Sequence, residues 1–152
     1  MIKQQKKLNK LIMEIYKYVH ENEEKLSCFE CKTPYCCHNK IKIDMVEDEF
    51  KTLKNLATQK HKEQAKKSII QQTSTGRYSC PFLDEHGKCS VYHYRPMACS
   101  IYMVTTPPEA CQDPQGDSAK VNPDFIFSHL PQKFLLNISK QRRYDLLDIF
   151  KN

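Results

Sequence analysis

Glycine is scarce in this sequence, and the three glycines, Gly76, Gly87 and Gly116, stand far apart. A usual methyltransferase needs a glycine-rich turn after a strand, so that the backbone can approach its adenosyl cofactor, as in dinucleotide sites. No such turn is present. No Ser-His-Asp, Cys-His or paired-carboxylate arrangement of catalytic residues can be identified either, so the catalytic residues are unknown and enzymatic activity stays an open question.

Long apolar runs and an export signal are also missing. No stretch approaches the roughly 18 apolar residues that are needed to cross a bilayer. Residues 1–20 interleave lysines with apolar residues and contain neither an unbroken apolar core nor a small-residue cleavage site. We therefore expect a cytoplasmic protein without a membrane partner. In that reducing compartment, thiols are kept for metals or catalysis.

Cysteine, by contrast, is abundant, with eight residues in two groups. The first group is Cys28, Cys31, Cys36 and Cys37, and the second is Cys80, Cys89, Cys99 and Cys111. Eight thiols suit two four-thiolate sites or one polynuclear cluster. Free thiols or disulfides are the competing interpretation. We predict that these cysteines are metal ligands and that the two groups meet in space.

The spacing of the cysteines favours an iron–sulfur cluster over a zinc or iron ion. The first two cysteines have the two-residue spacing of zinc knuckles and iron–sulfur proteins. The side chains of Cys36 and Cys37 diverge in most backbone conformations, which indicates two metals, or one ligand and one outer thiol. The long, uneven gaps of the second group are unlike a zinc ribbon, and proline after Cys80 is typical of ferredoxin ligand runs.

Tyrosines and arginines accompany the cysteines. We interpret the tyrosines as walls that shield a metal site and donate hydroxyl hydrogen bonds to it; they are Tyr35, Tyr78, Tyr92, Tyr94 and Tyr102. Arg77 and Arg95 are two of only four arginines, and their position favours pairing with an anionic cluster. A plain salt bridge is the alternative role for each.

The net charge of +6 raises the question of nucleic acid. Two zinc ions or two cubane clusters on eight thiolates would contribute a charge of about −4, so the net charge of the loaded protein would be about +2. The lysines are also scattered over the predicted helices without one dense stripe. The charge therefore argues against nucleic acid and leaves a protein partner open.

Hydrophobic periodicity predicts a mainly α protein with a small β-hairpin, in which about three long helices surround a cysteine-rich metal core. A chain of this length suits one domain. We predict a single domain over 1–152, with an N-terminal helix in 1–27, a cysteine-cluster metal-binding region over 28–111 and a C-terminal helix over 132–150.

Local signals refine the middle of the chain. We predict a short strand at Ile41 and Ile43, a helix from an Asp44–Glu47 capping box to Ile69 or Ile70, and a stop at the Thr73–Gly76 cluster. Residues 80–92 predict a hairpin around a glycine turn. Pro96 predicts a short helix that directs Cys99 at the hairpin, and residues 105–123 predict a loop.

The cysteine motifs resemble those of a known family. The motifs are Cys28-x2-Cys31-x4-Cys36-Cys37, Cys80-Pro81-Phe82-Leu83, Gly87-x-Cys89-Ser90-Val91-Tyr92, Arg95-Pro96-x2-Cys99 and Cys111. This pattern is similar to the YkgJ-type cysteine-cluster family, which includes the flagellin lysine N-methylase. The resemblance implies zinc or iron chelation, with protein lysine N-methylation, or an accessory role in it, as the alternative. One departure from the family pattern is the gap of four residues between Cys31 and Cys36. The length of this gap varies among relatives.

Overall fold

The computed structural model describes residues 2–29, 35–38, 40, 42–103, 111 and 124–151. Within these ranges it is mainly helical, with one two-stranded antiparallel sheet. The helices are α1 (Ile2–Asn22), α2 (Tyr35–His38), α3 (Glu47–Leu56), α4 (Gln59–Thr75), α5 (Met97–Ser100), α6 (Asp124–His129) and α7 (Gln132–Lys140). The strands are β1 (Asp44–Val46) and β2 (Arg143–Asp145). None of the described helices has the length and apolar character that a membrane span requires.

Helix α1 buries one apolar face, from which Leu11 is excluded, since it is 36% exposed. Ile12 and Tyr16 are completely buried, and Val19 is 6% exposed. These residues recur at three and four positions, so they lie on one face of the helix. That face packs against the 3-10 turn Tyr92–Tyr94 and against α5. The predicted N-terminal helix is confirmed.

The long helix predicted after the first cysteine group is wrong in two respects. It begins at Glu47 and not at an Asp44 capping box, because Asp44–Val46 forms β1. It also divides into α3 and α4 at Thr58, whose hydroxyl accepts the His61 N–H at 3.3 Å and starts a new helix. The stop at Gly76 is confirmed, since this glycine has φ = 75° and its N–H donates to Gln72 O.

The helix predicted over 132–150 ends at Lys140. Residues Arg143–Asp145 instead form β2, which pairs antiparallel with β1, with Met45 opposite Tyr144. A 3-10 turn over Leu146–Phe150 follows. The apolar spacing of the segment is compatible with a helix, but pairing with a strand about a hundred residues earlier decides its conformation.

The predicted hairpin of residues 80–92 is present as a tight turn without regular strands. A single bridge joins Leu83 and Cys89, and the Asp84 N–H donates to Lys88 O at 2.7 Å. Gly87, with φ = 71°, occupies the left-handed position of the turn. The strand predicted at Ile41 and Ile43 is wrong at Ile43, which lies just before β1. Ile41 and most of the predicted loop over 105–123 lie outside the described residues.

Strand β1 separates two hydrophobic clusters, because neighbouring side chains on a strand point to opposite faces. Val46 faces the first cluster, whose buried members are Ile12, Tyr16, Val19, Leu26, Val46, Met97, Met103, Ile126, Leu130 and Ile138. Met45 faces the second, whose buried members are Met45, Leu53, Tyr78, Cys80, Phe82, Leu83, Val91, Leu146, Leu147 and Ile149. Three of the described cysteines lie at the margins of these clusters, with Cys28 beside the first and Cys37 and Cys89 beside the second, whereas Cys80 is buried inside the second.

Candidate metal centre

Lysine and cysteine side chains meet at the margin of the second cluster. Lys40 is only 6% exposed, and its Nζ lies 3.6 Å from Cys99 Sγ. Five thiols interact electrostatically with this ammonium group: Cys36, Cys37, Cys80, Cys89 and Cys99. The Cys80 N–H also donates to Cys37 O at 2.7 Å. Parts of the two cysteine groups therefore adjoin each other, as the sequence predicted.

The remaining cysteines are placed differently. Cys28 lies in the 3-10 turn Ser27–Phe29 and packs against the first cluster, near Tyr16. Cys111 is partly buried, and Cys31 lies outside the described residues. In the described part of the chain, no three or more His, Cys, Asp and Glu side chains are arranged to hold a metal ion. The assignment of all eight cysteines as ligands therefore stays a prediction.

Helix α4 holds the loop that carries the first cysteine of the second group. Gln64 Nε2 donates to Pro81 O at 2.6 Å and to Leu83 O at 2.9 Å. Ser68 Oγ donates to Ser79 O at 2.6 Å. These hydrogen bonds fix the backbone on both sides of Cys80. A loop with three carbonyls fixed in this way presents its thiol in one orientation.

A second connection from α4 reaches the residue after Cys89. His61 Nδ1 accepts the Thr58 N–H at 3.0 Å, so the ring proton is assigned to Nε2, which lies 3.1 Å from Ser90 Oγ. Ser90 Oγ in turn donates to Phe82 O at 2.6 Å. Burial lowers the pKa of His61, which favours the neutral ring that this chain of hydrogen bonds requires. These hydrogen bonds therefore connect the first turn of α4 to the turn that carries Cys89.

Polar side chains on α1 hold the segment around α5, which carries Cys99. Gln5 Nε2 and Asn9 Nδ2 donate to Arg95 O at 2.7 and 2.9 Å. The Tyr16 hydroxyl donates to Ile101 O at 2.6 Å on the far side of α5. Burial and the nearby Cys28 raise the pKa of Tyr16 to about 12, so the hydroxyl keeps its proton for this bond.

Glu49 joins three elements through one buried carboxylate, which is 4% exposed. Its Oε1 accepts the Met97 N–H at 2.7 Å, at the first residue of α5, and its Oε2 accepts the Val46 N–H at 3.1 Å. Gln5 Nε2 lies 3.4 Å from Oε1. Burial raises the pKa of Glu49, and these hydrogen bonds oppose that rise. The carboxylate therefore caps both α3 and α5.

Replacing Glu49 with alanine should lower the free energy of unfolding by about 2–4 kcal/mol, because two backbone N–H groups lose a charged acceptor inside the protein. Urea unfolding followed by circular dichroism measures the change. Glu47→Ala is the matched control, since the Glu47 carboxylate is partly exposed and forms an ion pair with Lys51 at 3.2 Å. Its expected cost is below about 1 kcal/mol. Equal costs for the two variants would contradict the capping role of Glu49.

Tyr78 accompanies Lys40 at the thiols. The two residues exchange backbone hydrogen bonds, with N···O distances of 2.8 and 2.9 Å, as an isolated antiparallel bridge. Tyr78 is completely buried, and its hydroxyl has no hydrogen-bond partner among the described residues. Burial, followed by the charge of Asp145, raises the pKa of Tyr78, so the hydroxyl is a permanent donor.

The thiols of this group differ in acidity. Burial raises the pKa of Cys80 to about 12 and also raises the pKa of Cys89. A hydrogen bond between Cys36 and Cys37 lowers the pKa of the first and raises that of the second, so the pair holds one proton. Burial lowers the pKa of Lys40, but the cysteine side chains around it, Cys99 foremost, raise it overall. The ammonium therefore stays charged beside them.

Arg95 supplies a second positive charge near the thiols. Its guanidinium stacks over the Tyr92 ring at 3.9 Å and its Nε donates to Tyr92 O at 3.0 Å. Its charge opposes the rise of the pKa of Cys89 and lowers the pKa of Cys36. A cation there stabilises thiolates, and the pairing of Arg95 with an anionic cluster stays a prediction.

Lys40 and Glu49 were missed from the sequence. Lys40 alternates with isoleucines in a lysine-rich stretch, and Glu49 lies in an acidic first turn that is typical of an exposed helix start. Neither pattern distinguishes these residues from their exposed neighbours. Only their partners distinguish them, and those partners lie 48 residues away for Glu49 and 59 for Lys40.

Comparison with known proteins gives one match. A family model named CxxCxxCC, with the description "Putative zinc- or iron-chelating domain", matches residues 27–122. The match includes all eight cysteines and covers more than half of the chain. Searches of curated proteins and of solved structures gave no significant match.

Proposed function

This chain belongs to the CxxCxxCC family of zinc- or iron-chelating domains, and we propose that its centre is built from thiolates of both cysteine groups. The observation that carries this proposal is the gathering of thiols from both groups around the Lys40 ammonium. Several of these thiols keep their protons, because thiolates in one poorly solvated place would repel each other and a single ammonium offsets only part of that charge. A metal ion or cluster would supply the missing positive charge.

The chemistry of the donor set fits a metal that is bound by thiolates, although no three of the described His, Cys, Asp and Glu side chains are already arranged around a metal position. Cys80 and Cys99 lie near the permanent donor Tyr78 and the buried cation Lys40, which suit an anionic partner. Thiols with raised pKa values release their protons when a metal binds, so the acidity described above is compatible with loading. When bound, a zinc ion would cross-link the two groups, whereas an iron–sulfur cluster would add the capacity to carry an electron.

The finer proposal is that the centre is an iron–sulfur cluster. Proline after Cys80 and the uneven spacing of the second group support it from the sequence. Arg95 supports it from the structure, because a cation near sulfur ligands offsets the charge of a cluster. We propose all eight cysteines as the ligand pool, with Cys28, Cys31 and Cys111 joining the five thiols near Lys40.

Protein purified without oxygen is expected to be brown, with a broad visible absorption band and roughly four irons per occupied cubane site. Iron and sulfide analysis of the same sample checks the stoichiometry, and reduction with dithionite should bleach the band. Aerobically purified protein is the control, since zinc readily occupies thiolate sites. A colourless anaerobic preparation from iron-replete cells, with stoichiometric zinc, would show that the centre is a zinc site and not a cluster. The chelating function would still hold.

Protein lysine methylation stays an implication of the resemblance. Calorimetric titration with S-adenosylmethionine separates it from metal chelation alone, because a methylase must bind this cofactor. A saturable binding heat would support the methylase alternative, and the absence of heat would argue against it.

A further inference from the structure

The metal centre has a feature that thiolate ligation by itself does not explain. Two buried polar side chains, Lys40 and Tyr78, come to the thiols from one backbone bridge. A buried ammonium costs free energy unless an anion accompanies it. A buried hydroxyl without a partner costs free energy as well. Both costs disappear when an anionic acceptor occupies the same place.

Sulfur is the acceptor that the structure offers. Lys40 Nζ lies 3.6 Å from Cys99 Sγ, within reach of a hydrogen bond to sulfur. The Tyr78 hydroxyl has no hydrogen-bond partner among the described residues. The charges of Asp145, Lys40, Cys80 and Cys99 all act on it. Of the thiols, Cys80 and Cys99 are within electrostatic range of both Tyr78 and Lys40.

Charge balance indicates what kind of metal complex these donors suit. Four thiolates around one zinc ion, or around one oxidised cubane, carry a net charge of about −2. Lys40 and Arg95 together bring two positive charges to the thiols. A neutral complex, with two thiolates and two neutral ligands, would leave the Lys40 ammonium buried without an anion.

We propose that Lys40 and Tyr78 complete the metal centre as donors to its thiolate sulfurs, so that the site is specific for a metal complex with net negative charge. This inference rests on the proposed metal-chelating function and deepens it. Lys40 and Tyr78 are positioning residues, since they act on the metal through the cysteine sulfurs. Because each donor weakens the electron donation of the sulfur that it contacts, its loss changes the spectrum of the metal complex as well as its affinity.

The test measures zinc affinity under reducing, oxygen-free conditions by competition with a chromophoric chelator. Lys40→Met should weaken zinc binding by about 10–100-fold, the usual loss for an outer partner of a metal ligand. Tyr78→Phe, which removes a single oxygen, should weaken it by about fivefold. The matched controls are Lys42→Met and Tyr18→Phe, since both side chains are largely exposed. We expect the controls to bind within about twofold of the parent protein.

The absorption spectrum of the cobalt-substituted protein separates a donor role from a purely structural role of Lys40 and Tyr78. A purely structural role would leave that spectrum unchanged. Loss of a donor to thiolate sulfur should shift the sulfur-to-cobalt charge-transfer band of Lys40→Met and Tyr78→Phe, whereas the controls keep the parent spectrum. Circular dichroism shows which variants are folded, and Tyr78→Phe decides the matter if Lys40→Met does not fold.

The outcomes separate the two proposals. Parent-like affinity and spectra in Lys40→Met and Tyr78→Phe, with the parent protein binding zinc, would overturn the donor role and leave chelation in place. Failure of the parent protein to bind either zinc or iron would overturn the chelating function, and the donor role would fall with it.

Discussion

Removal of the metal is expected to loosen residues 28–111 and to lower the melting temperature sharply. Structural metal sites of this type contribute on the order of 10 kcal/mol of folding free energy, which is comparable to the whole stability of a small domain. Without metal, the segments that carry Cys37, Cys80 and Cys99 would depend on Lys40 and on hydrogen bonds from α1 and α4. Helix α1 should keep part of its structure, because Ile12 and Tyr16 bury its apolar face in the first cluster.

Thermal melting and far-ultraviolet circular dichroism, recorded before and after chelation, measure this effect. Hydrogen exchange locates it, and faster exchange should be confined to the loops around α4 and α5 at the lowest chelator concentrations. The same protein reloaded with metal is the control for irreversible damage. An unchanged melting curve in protein shown by metal analysis to be metal-free would exclude a structural role for the metal.

Replacing Cys99 with serine is expected to weaken metal binding by about 100-fold, the share of one ligand in a four-thiolate site. Cys99 Sγ lies 3.6 Å from the Lys40 ammonium, on α5, whose position Glu49 fixes through the Met97 N–H. Serine keeps the size of the side chain but removes the thiolate. Chelator competition measures the affinity, and an iron–sulfur form should also lose its visible absorption.

Ala98→Ser is the matched control for this variant. It introduces the same hydroxyl one position earlier on α5, at another partly buried residue. Its affinity for metal should stay within about twofold of the parent value, because no ligand is lost. If Cys99→Ser binds metal as tightly as Ala98→Ser, Cys99 is not a ligand, and the remaining seven cysteines would have to supply the site.

Local signals predicted several parts of the fold correctly. The apolar stripe of α1, the left-handed Gly76 that ends α4 and the short helix after Pro96 each depend on residues within one or two turns of each other. Non-local effects account for the errors. Residues Arg143–Asp145 form a strand because β1 pairs with them, and the predicted helix divides at Thr58 because its capping bonds compete with helix continuation.

The sequence by itself determined the chemistry of this protein. Eight cysteines in two groups, with Pro81 and Gly87 shaping the second group, are enough to indicate metal chelation, and the family match agrees. Ligand chemistry is readable because it depends on residue type and spacing, which are properties of the chain alone.

Only the tertiary structure decided which polar residues surround the thiols. Lys40 looks like the exposed Lys42 in sequence, yet packing buries it beside Cys99. In sequence, Glu49 resembles its acidic neighbours. It differs from them because its carboxylate accepts the N–H of Met97, 48 residues away. Burial and long-range hydrogen bonds are collective results of packing, and no local pattern encodes them, because identical side chains differ only in what the rest of the chain places around them.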